Sequence, residues 1–329
     1  MYKAILIDMF NLGYRLHKKN TDYKLTANAV INFINDEVDP RVEVTGSIYL
    51  LFDPLPKSDL GMSKNFKYHP TRQQISSGYK SHREKNPVVY DAMNTLRKYY
   101  TYKGERYKTV ICNNLEADDF VEGILQIENI GNIALVTTDS DWSRYISDRV
   151  EMINKGFNNP YTKEDYYKEF KMNPTITVIT LKKALYGDES DEIKSVVSSL
   201  GKKLNFYTDV DTVINAMLTE ISRDNTPLDE VIDKFRKMVF INLIQNHDRN
   251  NFEELAYTLM SADNDNGYSL GIWETFLNNI RIIKCRCLDV TKYIHWKNED
   301  KGYNTLMDTN LGRIKRTNKS HKVVFGLKK

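Results

Sequence analysis

Cysteine is scarce in this chain: Cys112, Cys285 and Cys287 are the only three in 329 residues. Three are too few for a disulfide framework, and no Cys-x-x-Cys spacing occurs among them, which points to a reducing compartment. Cys285 and Cys287 alternate within an apolar run and read as core residues, not ligands. Long apolar stretches are also missing. No run of about 18 apolar residues occurs, and the apolar part of the opening MYKAILIDMF is too short for a signal peptide. A soluble cytoplasmic protein with no membrane partner is therefore expected. Internal repeats are absent, and nothing suggests more than a monomer. What is present is ordinary for a folded chain: 28% charged and 41% apolar residues exclude a disordered or fibrous polymer. The length favours two domains.

The formal net charge of +3 hides a strong asymmetry. Residues 54–110 hold twelve Lys or Arg against four acids, and residues 311–329 hold seven bases and no acid. The rest of the chain is correspondingly acidic. An acidic body with two basic surfaces is a common build for a nuclease or nucleic-acid binder, although solvated lysine-rich helix faces produce the same count.

Residues 3–7, 47–52, 107–112 and 133–137 are short runs rich in Val, Ile and Leu and read as strands. Between them, residues 26–38, with Thr26 as the cap, and 118–127 show apolar positions at helical spacing. Such alternation predicts an α/β fold with a mostly parallel central sheet and helices on both faces. Residues 54 to about 104 interrupt the rhythm with some fifty polar, basic and aromatic residues, the length of a lid or binding loop. Beyond about residue 175 the pattern is helical, clearest at 178–186, 210–222 and 228–246. A further helix is expected at 268–278 and a hairpin or edge strand within 281–296. The expected organisation is an α/β core over 1–175, a mainly helical subdomain over 176–312 and a basic tail over 313–329.

The acids fall in a pattern. Three strand-like runs end on aspartate, at Asp8, Asp53 and Asp139, with Asp141 one alternation later. The fourth leads into Glu116, Asp118 and Asp119. In a parallel sheet these ends share one edge, where doubly wound folds place their sites. Taken singly, Asp118 or Asp119 reads as a first-turn acid of the following helix. Taken together, so many carboxylates at one edge repel one another, and without cations the pocket would be unstable or largely protonated. Oxygen ligands with no His or Cys among them select Mg²⁺ or Mn²⁺ over zinc. Two such ions about 4 Å apart can clamp the attacking and leaving oxygens of a phosphoryl displacement, so phosphodiester hydrolysis is the expected chemistry. Residues 187–193 add Asp188 and Asp191 at the entry to the helical half. Residues 263–267 resemble a calcium loop at first sight. Gly267 offers no side-chain ligand, however, and Tyr268 stands where the sharp turn needs glycine, so the stretch reads as a polar loop.

Six short motifs, in order along the chain, resemble those of the flap endonuclease and 5′→3′ exonuclease superfamily. They are Ile7-Asp8 with Asn11-Leu12-Gly13-Tyr14-Arg15, Phe52-Asp53, Tyr79-Lys80-Ser81-His82-Arg83, Glu116-Ala117-Asp118-Asp119, Thr137-Thr138-Asp139-Ser140-Asp141, and Gly187 to Ile193. The organisation is most similar to phage 5′ nucleases, including those of ribonuclease H type, and the motifs span residues 1 to about 205. The resemblance implies a Mg²⁺-dependent structure-selective 5′ nuclease with two ions, for which Mn²⁺ can substitute. Its partners would be 5′ flaps, nicked duplexes or RNA-primed duplex DNA, met during primer removal in phage replication and hence in the host cytoplasm. The resemblance places Asp8, Asp53, Glu116 and Asp118 around one ion, and Asp119, Asp139, Asp141, Asp188 and Asp191 around the second or its water shell. Lys80 and Arg83 match cations at the base of the family's helical arch, which contact the scissile phosphate and join Asp118 in the catalytic set. Residues 54 to about 104 would form that arch. The twelve cations and seven tyrosines of residues 54–110 suit a single strand. Arg15, Arg72, Tyr79, Lys85, Lys202 and Lys203 complete the implied nucleic-acid contacts. Tyr79 either stacks on a terminal base or packs in a core, while Tyr99, Tyr100 and Tyr102 read as cover for the sheet.

Three departures from the family pattern stand out. The helix-hairpin-helix expected at about 187–205 keeps only Gly201, Lys202 and Lys203 of a usually glycine-rich hairpin, so duplex backbone would be gripped differently. Met9-Phe10 replaces a small polar pair, and Glu192 stands where the family has Asn. Two other readings remain open on the sequence. A PIN-like ribonuclease groups acids similarly but needs neither arch nor loop 187–193, and a non-catalytic branched-DNA-binding replication factor would be expected to lack some of the acids. The basic tail is either a docking peptide for a clamp or single-strand-binding protein, or a DNA-contacting extension.

Overall fold

The computed structural model describes residues 1–17, 22–54, 72–77, 79–80, 85–112, 115–198, 207–224, 226–235, 272–284 and 289–311. Residues 55–71 of the expected arch, the hairpin at 199–206, the loop at 263–267, Cys285, Cys287 and the tail lie outside these residues, as do Arg83, Lys202 and Lys203. In chain order the strands are β1 (Tyr2–Asp8), β2 (Val42–Phe52), β3 (Tyr107–Ile111), β4 (Ile133–Val136), β5 (Val150–Met152) and β6 (Ile294–His295). The α-helices are α1 (Met9–Leu16), α2 (Tyr23–Phe33), α3 (Arg72–Ile75), α4 (Pro87–Thr101), α5 (Val121–Ile127), α6 (Lys163–Phe170), α7 (Ile176–Tyr186), α8 (Tyr207–Asp224), α9 (Leu228–Phe235), α10 (Ile272–Ile283) and α11 (Lys301–Leu311). They divide into two compact units, one of Met1–His69, Glu84–Lys163 and Cys285–Lys329, the other of Pro70–Arg83 and Glu164–Lys284. No helix among the described residues is long and apolar enough to cross a membrane.

The first unit is built on a six-stranded sheet in the order β5-β4-β1-β2-β3-β6. Its first five strands are parallel and β6 pairs antiparallel with β3. Ile5, Leu6 and Ile7 of β1 and Leu50, Leu51 and Phe52 of β2 are all fully buried. Such unbroken apolar runs are what a parallel sheet covered on both faces requires, and the α/β class expected from the sequence is the one observed. Against the sheet lie α1, α2 and α4, whose Leu12, Val30, Val89, Met93 and Leu96 share its core.

Several boundaries differ from the sequence reading. Helix α2 starts three residues earlier, capped by Asp22, whose carboxylate accepts from the Lys24 amide. Thr26 instead turns inward to His17 Nδ1 at 3.1 Å. Helix α4 is part of the core, which shortens the long excursion at its C-terminal side. Asn86 caps it by accepting from the Val88 and Val89 amides, Pro87 opens the first turn, and Val89, Ala92, Met93, Leu96, Tyr99 and Tyr100 form its buried stripe.

The domain boundary expected near 175 falls at 163/164, and the C-terminal segment returns to the first unit. Thr109 Oγ1 donates to the His295 carbonyl at 2.8 Å, and the Lys297 amide to the Thr101 carbonyl at 2.7 Å. Asn304 Nδ2 donates to the Tyr102 carbonyl at 3.2 Å, and Asn28 Nδ2 to the Leu311 carbonyl. Residues 289–311 thus strap β3, α4 and α2. A single subdomain over 176–312 is replaced by a helical unit plus this strap.

The second unit gathers α7, α8, α9 and α10 around Val178, Leu181, Leu185, Leu218 and Phe276. Helix α7 ends at Gly187, whose φ is 76° and where a Cβ would lie 2.5 Å from the Ile193 carbonyl. Five residues on, Glu192 holds a left-handed conformation (φ 57°, ψ 31°) that a long side chain tolerates poorly and Asn adopts more readily. Two opposite results are expected in thermal unfolding. Gly187→Ala should destabilise by about 2 kcal/mol or more, whereas Glu192→Asn should stabilise by about 0.5–1 kcal/mol.

Candidate active site

The strand register brings the first acids together. Asp8 aligns with Leu51 across β1 and β2, and Ile7 with Val136 across β1 and β4. Asp8, Asp53 and residues 137–139 therefore leave the sheet at the same end. Each acid is oriented by a turn. Asp8 caps α1 with Oδ1 accepting from the Asn11 amide at 3.0 Å, and Asp53 Oδ1 accepts from the Ala117 amide at 2.9 Å. Asp119 Oδ2 accepts from the Glu116 amide at 2.9 Å, closing a capping box on the turn Ala117–Phe120. Asp139 Oδ1 accepts from the Asp141 amide at 3.0 Å. Short acidic side chains make such local bonds readily, and here they aim a set of carboxylates before any ligand arrives.

The set is electrostatically coupled. Burial pushes the Asp8 carboxyl well above its ordinary range, Asp53 adds the next largest push, and Asp139 and Asp118 add to it. The Asn11 amide opposes the shift without cancelling it. Arg15 lies beside the same group: burial lowers its guanidinium to about 10 while Asp8 works the other way, so it stays cationic at neutral pH. Asp141 is met by Arg144, whose side chain is almost wholly buried, with Nη2 3.6 Å from Oδ2 and Nε donating to the Asp141 carbonyl at 2.7 Å.

Asp188, Asp191, Arg72, Tyr79 and Lys80 belong to the second unit. Asp188 and Asp191 both pair with Lys183, at 2.9 and 2.8 Å. Burial pushes the Asp188 carboxyl up, but hydrogen bonds from Ser190 and the Lys183 charge outweigh it and leave a net lowering. Tyr79 is 2% exposed and packed in the helical core, so of its two readings the structure supports packing, and its ring is not offered to a base. Arg72 and Lys80 flank that ring. Lys85 is exposed in the first unit, 5.8 Å from the Tyr90 ring. Tyr99 and Tyr100 are buried under the sheet's helical cover, as expected.

Four residues escaped the sequence reading. Thr137 Oγ1 donates to Asp8 Oδ2 at 3.3 Å and accepts from the Asp139 amide at 3.0 Å, linking two acids. Asn11 Oδ1 accepts from both the amide and hydroxyl of Thr138. Lys183 and Arg144 supply the buried countercharges. Of these, Asn11 and Thr137 stand inside motifs already recognised, and their roles follow from spacing once the strands are paired.

The donor set fits a hard divalent cation in its chemistry: it is all oxygen, and it includes a buried carboxyl, Asp8, whose ionisation the neighbours oppose. Among the described residues no three His, Cys, Asp or Glu meet closely enough to hold an ion as they stand. The two observations are compatible, since charge repulsion acts over several ångströms while ligand bonds span about 2.0–2.6 Å.

The fold is similar to that of solved 5′-nuclease structures. This chain is similar to the bacteriophage T5 flap endonuclease, solved as a pseudo-enzyme–product complex with DNA and metal ions, with a TM-score of 0.50, 14% identity, and coverage of 94% of this chain and 97% of that one. The bacteriophage T5 5′-exonuclease with bound zinc gives the same values. The catalytic core of Rad2 in complex with DNA substrate gives a TM-score of 0.48 at 13% identity, over 94% of this chain and 86% of that one. No protein-family model and no curated protein matches the sequence. At 14% identity the likeness is one of fold.

Proposed function

We propose that this protein is a divalent-metal-dependent, structure-selective 5′ nuclease that hydrolyses phosphodiesters near the 5′ ends or flaps of DNA or RNA–DNA duplexes, in primer removal during phage replication. The observation that carries the reading is the buried Asp8, whose ionisation is opposed by Asp53, Asp139 and Asp118 at one end of a parallel sheet. A protein gains little from such crowding unless a cation relieves it. The capture of the T5 protein with DNA and metal ions agrees with this reading.

Two Mg²⁺ ions, or Mn²⁺ in their place, would acidify the attacking water and neutralise charge on the phosphate. Asp8, Asp53, Glu116 and Asp118 would hold one, and Asp119, Asp139 and Asp141 the other or its water shell. The turn hydrogen bonds to Asp8, Asp53, Asp119 and Asp139 keep the carboxylates aimed, which lowers the reorganisation needed on binding. Lys80 and Arg83 would stabilise charge on the phosphate in the transition state. Arg15, Lys85, Lys202 and Lys203 would contact the strands, and the tail a phosphate backbone or a protein partner.

The test is cleavage of 5′-labelled flap, nicked and RNA-primed duplexes with Mg²⁺ against EDTA, with Asp118→Ala as control. Metal-dependent release of short 5′ products, lost in the variant while duplex binding persists, is the expected result. Tight binding with no cleavage under any divalent metal would instead make the protein a binding factor.

A further inference from the structure

Arg72, Tyr79 and Lys80 form a cluster that a shared role in contacting nucleic acid does not explain. The Tyr79 ring is buried in the core of the helical unit. Arg72 Nη1 donates to the Tyr79 hydroxyl at 3.1 Å, with its guanidinium carbon 5.9 Å from the ring centroid. The Lys80 ammonium stands 4.9 Å from the same centroid. Lys80 has φ 51°, a left-handed backbone that a lysine adopts only where its surroundings impose it. Those surroundings are a short closed turn: the Ser76 amide donates to the Arg72 carbonyl at 3.0 Å, and the Tyr79 amide to the Ser76 carbonyl at 3.1 Å. Arg72 therefore grips both ends of the turn, one through its carbonyl and the other through its side chain.

We propose that Arg72 is a positioning residue that clamps the Tyr79 hydroxyl and thereby holds the Lys80 amine ready for a phosphate, and that it does not itself contact nucleic acid. The inference deepens the nuclease reading and rests on it. A lysine stem is flexible and loses much rotamer freedom when ordered. An amine whose backbone and ring support are set in advance loses less of that freedom when the transition state forms. A guanidinium already bonded to a buried phenol is poorly disposed to reach a backbone phosphate as well.

The experiment uses the full chain with Arg72→Met, and with Tyr79→Phe, which keeps the buried ring and removes the hydroxyl, each alone and combined with Lys80→Ala. Single-turnover cleavage of a 5′-flap DNA with Mg²⁺ should slow about tenfold in Arg72→Met and in the same direction in Tyr79→Phe, while Kd and its salt slope stay unchanged. In the Lys80→Ala background either change should cost less than about twofold more, because the clamp acts through that amine. A salt slope lowered by about one in Arg72→Met would mark a phosphate contact and overturn the proposal. So would losses that multiply in full in the double variants.

A second readout does not depend on cleavage: the rate at which an N-hydroxysuccinimide ester acylates Lys80, followed by peptide mass spectrometry. It should change at least about twofold in both single variants, since cation–π contact favours the protonated amine. An unchanged rate overturns the clamp. Altered acylation in a protein that cleaves nothing would sink the nuclease reading and leave the clamp standing. Should Arg72→Met fail to fold, Tyr79→Phe carries the same test.

Discussion

Asp8→Asn should make the metal-free protein more stable and at the same time remove its cleavage activity. The asparagine retains an oxygen that can accept from the Asn11 amide, so the cap on α1 survives. What disappears is a buried negative charge that Asp53, Asp139 and Asp118 oppose. Because the folded carboxyl sits above its unfolded value, the native state holds a proton that the unfolded chain has already released. Stability is therefore lost as pH rises from about 4 through the folded value, and the full penalty applies above it. With EDTA at pH 8 the variant should melt several degrees above the parent, each kcal/mol being worth roughly 2–4 °C in a domain of this size. Near pH 4 the gain should vanish. Mg²⁺ should raise the parent's Tm more than the variant's, and cleavage should fall by about 10²–10³ or more. A variant that melts no higher at pH 8 would mean that Asp8 carries no such penalty, whatever happens to cleavage.

Lys183→Met should produce the opposite stability effect in the helical unit. The Lys183 side chain is 10% exposed and its ammonium bonds both Asp188 and Asp191. Removing a buried cation leaves partly buried carboxylates without its charge, a change that typically costs 3–5 kcal/mol. Asp188 is 28% exposed, so water meets part of the loss and about 2–4 kcal/mol is expected. The pH dependence has a definite sign. In the parent the Asp188 carboxyl lies below its ordinary value, so it contributes stability above about pH 4 that is lost as pH falls through the folded value. In the variant burial acts with less opposition and raises that carboxyl. The deficit measured by urea unfolding should thus be largest at pH 7–8 and narrow toward pH 4. A small deficit independent of pH would show that the loop does not depend on this cation.

The strands that carry the acids were legible because a parallel sheet writes itself as short unbroken apolar runs, and Asp8 and Asp53 close two of them at a fixed offset. The acids of the turn Ala117–Phe120 were legible for the same reason, although their capping bonds were not, since those depend on which backbone amide each carboxylate finds. Thr26 was misread as a cap because Asp22 stands four residues earlier and reaches the Lys24 amide first. Helix α4 was absorbed into the expected arch because its surroundings are polar and basic, yet its buried positions recur at helical spacing. Strand β6 is the edge strand expected within 281–296, but its two residues carry no period that would point to its partner β3, 186 positions away in sequence. Lys183 and Arg144 could not be recognised as countercharges because the pairing runs across turns whose shape is set by Gly187 in one case and by the turn Ser140–Tyr145 in the other. Tyr79 reads two ways in the sequence because its burial, 2% exposed, depends on a helical core assembled from distant segments.

The strap of residues 289–311 has a consequence for biosynthesis. Strand β3 emerges from the ribosome long before the segment that covers its outer edge, and all of residues 164–284 are made in between. Until β6 arrives, a nascent chain carries a nearly complete parallel sheet with one unpaired edge of mostly buried, apolar residues, the kind of surface that recruits other strands. The helical unit is thus an insertion that the first unit must wait for, and a strand made after that insertion completes the sheet begun before it.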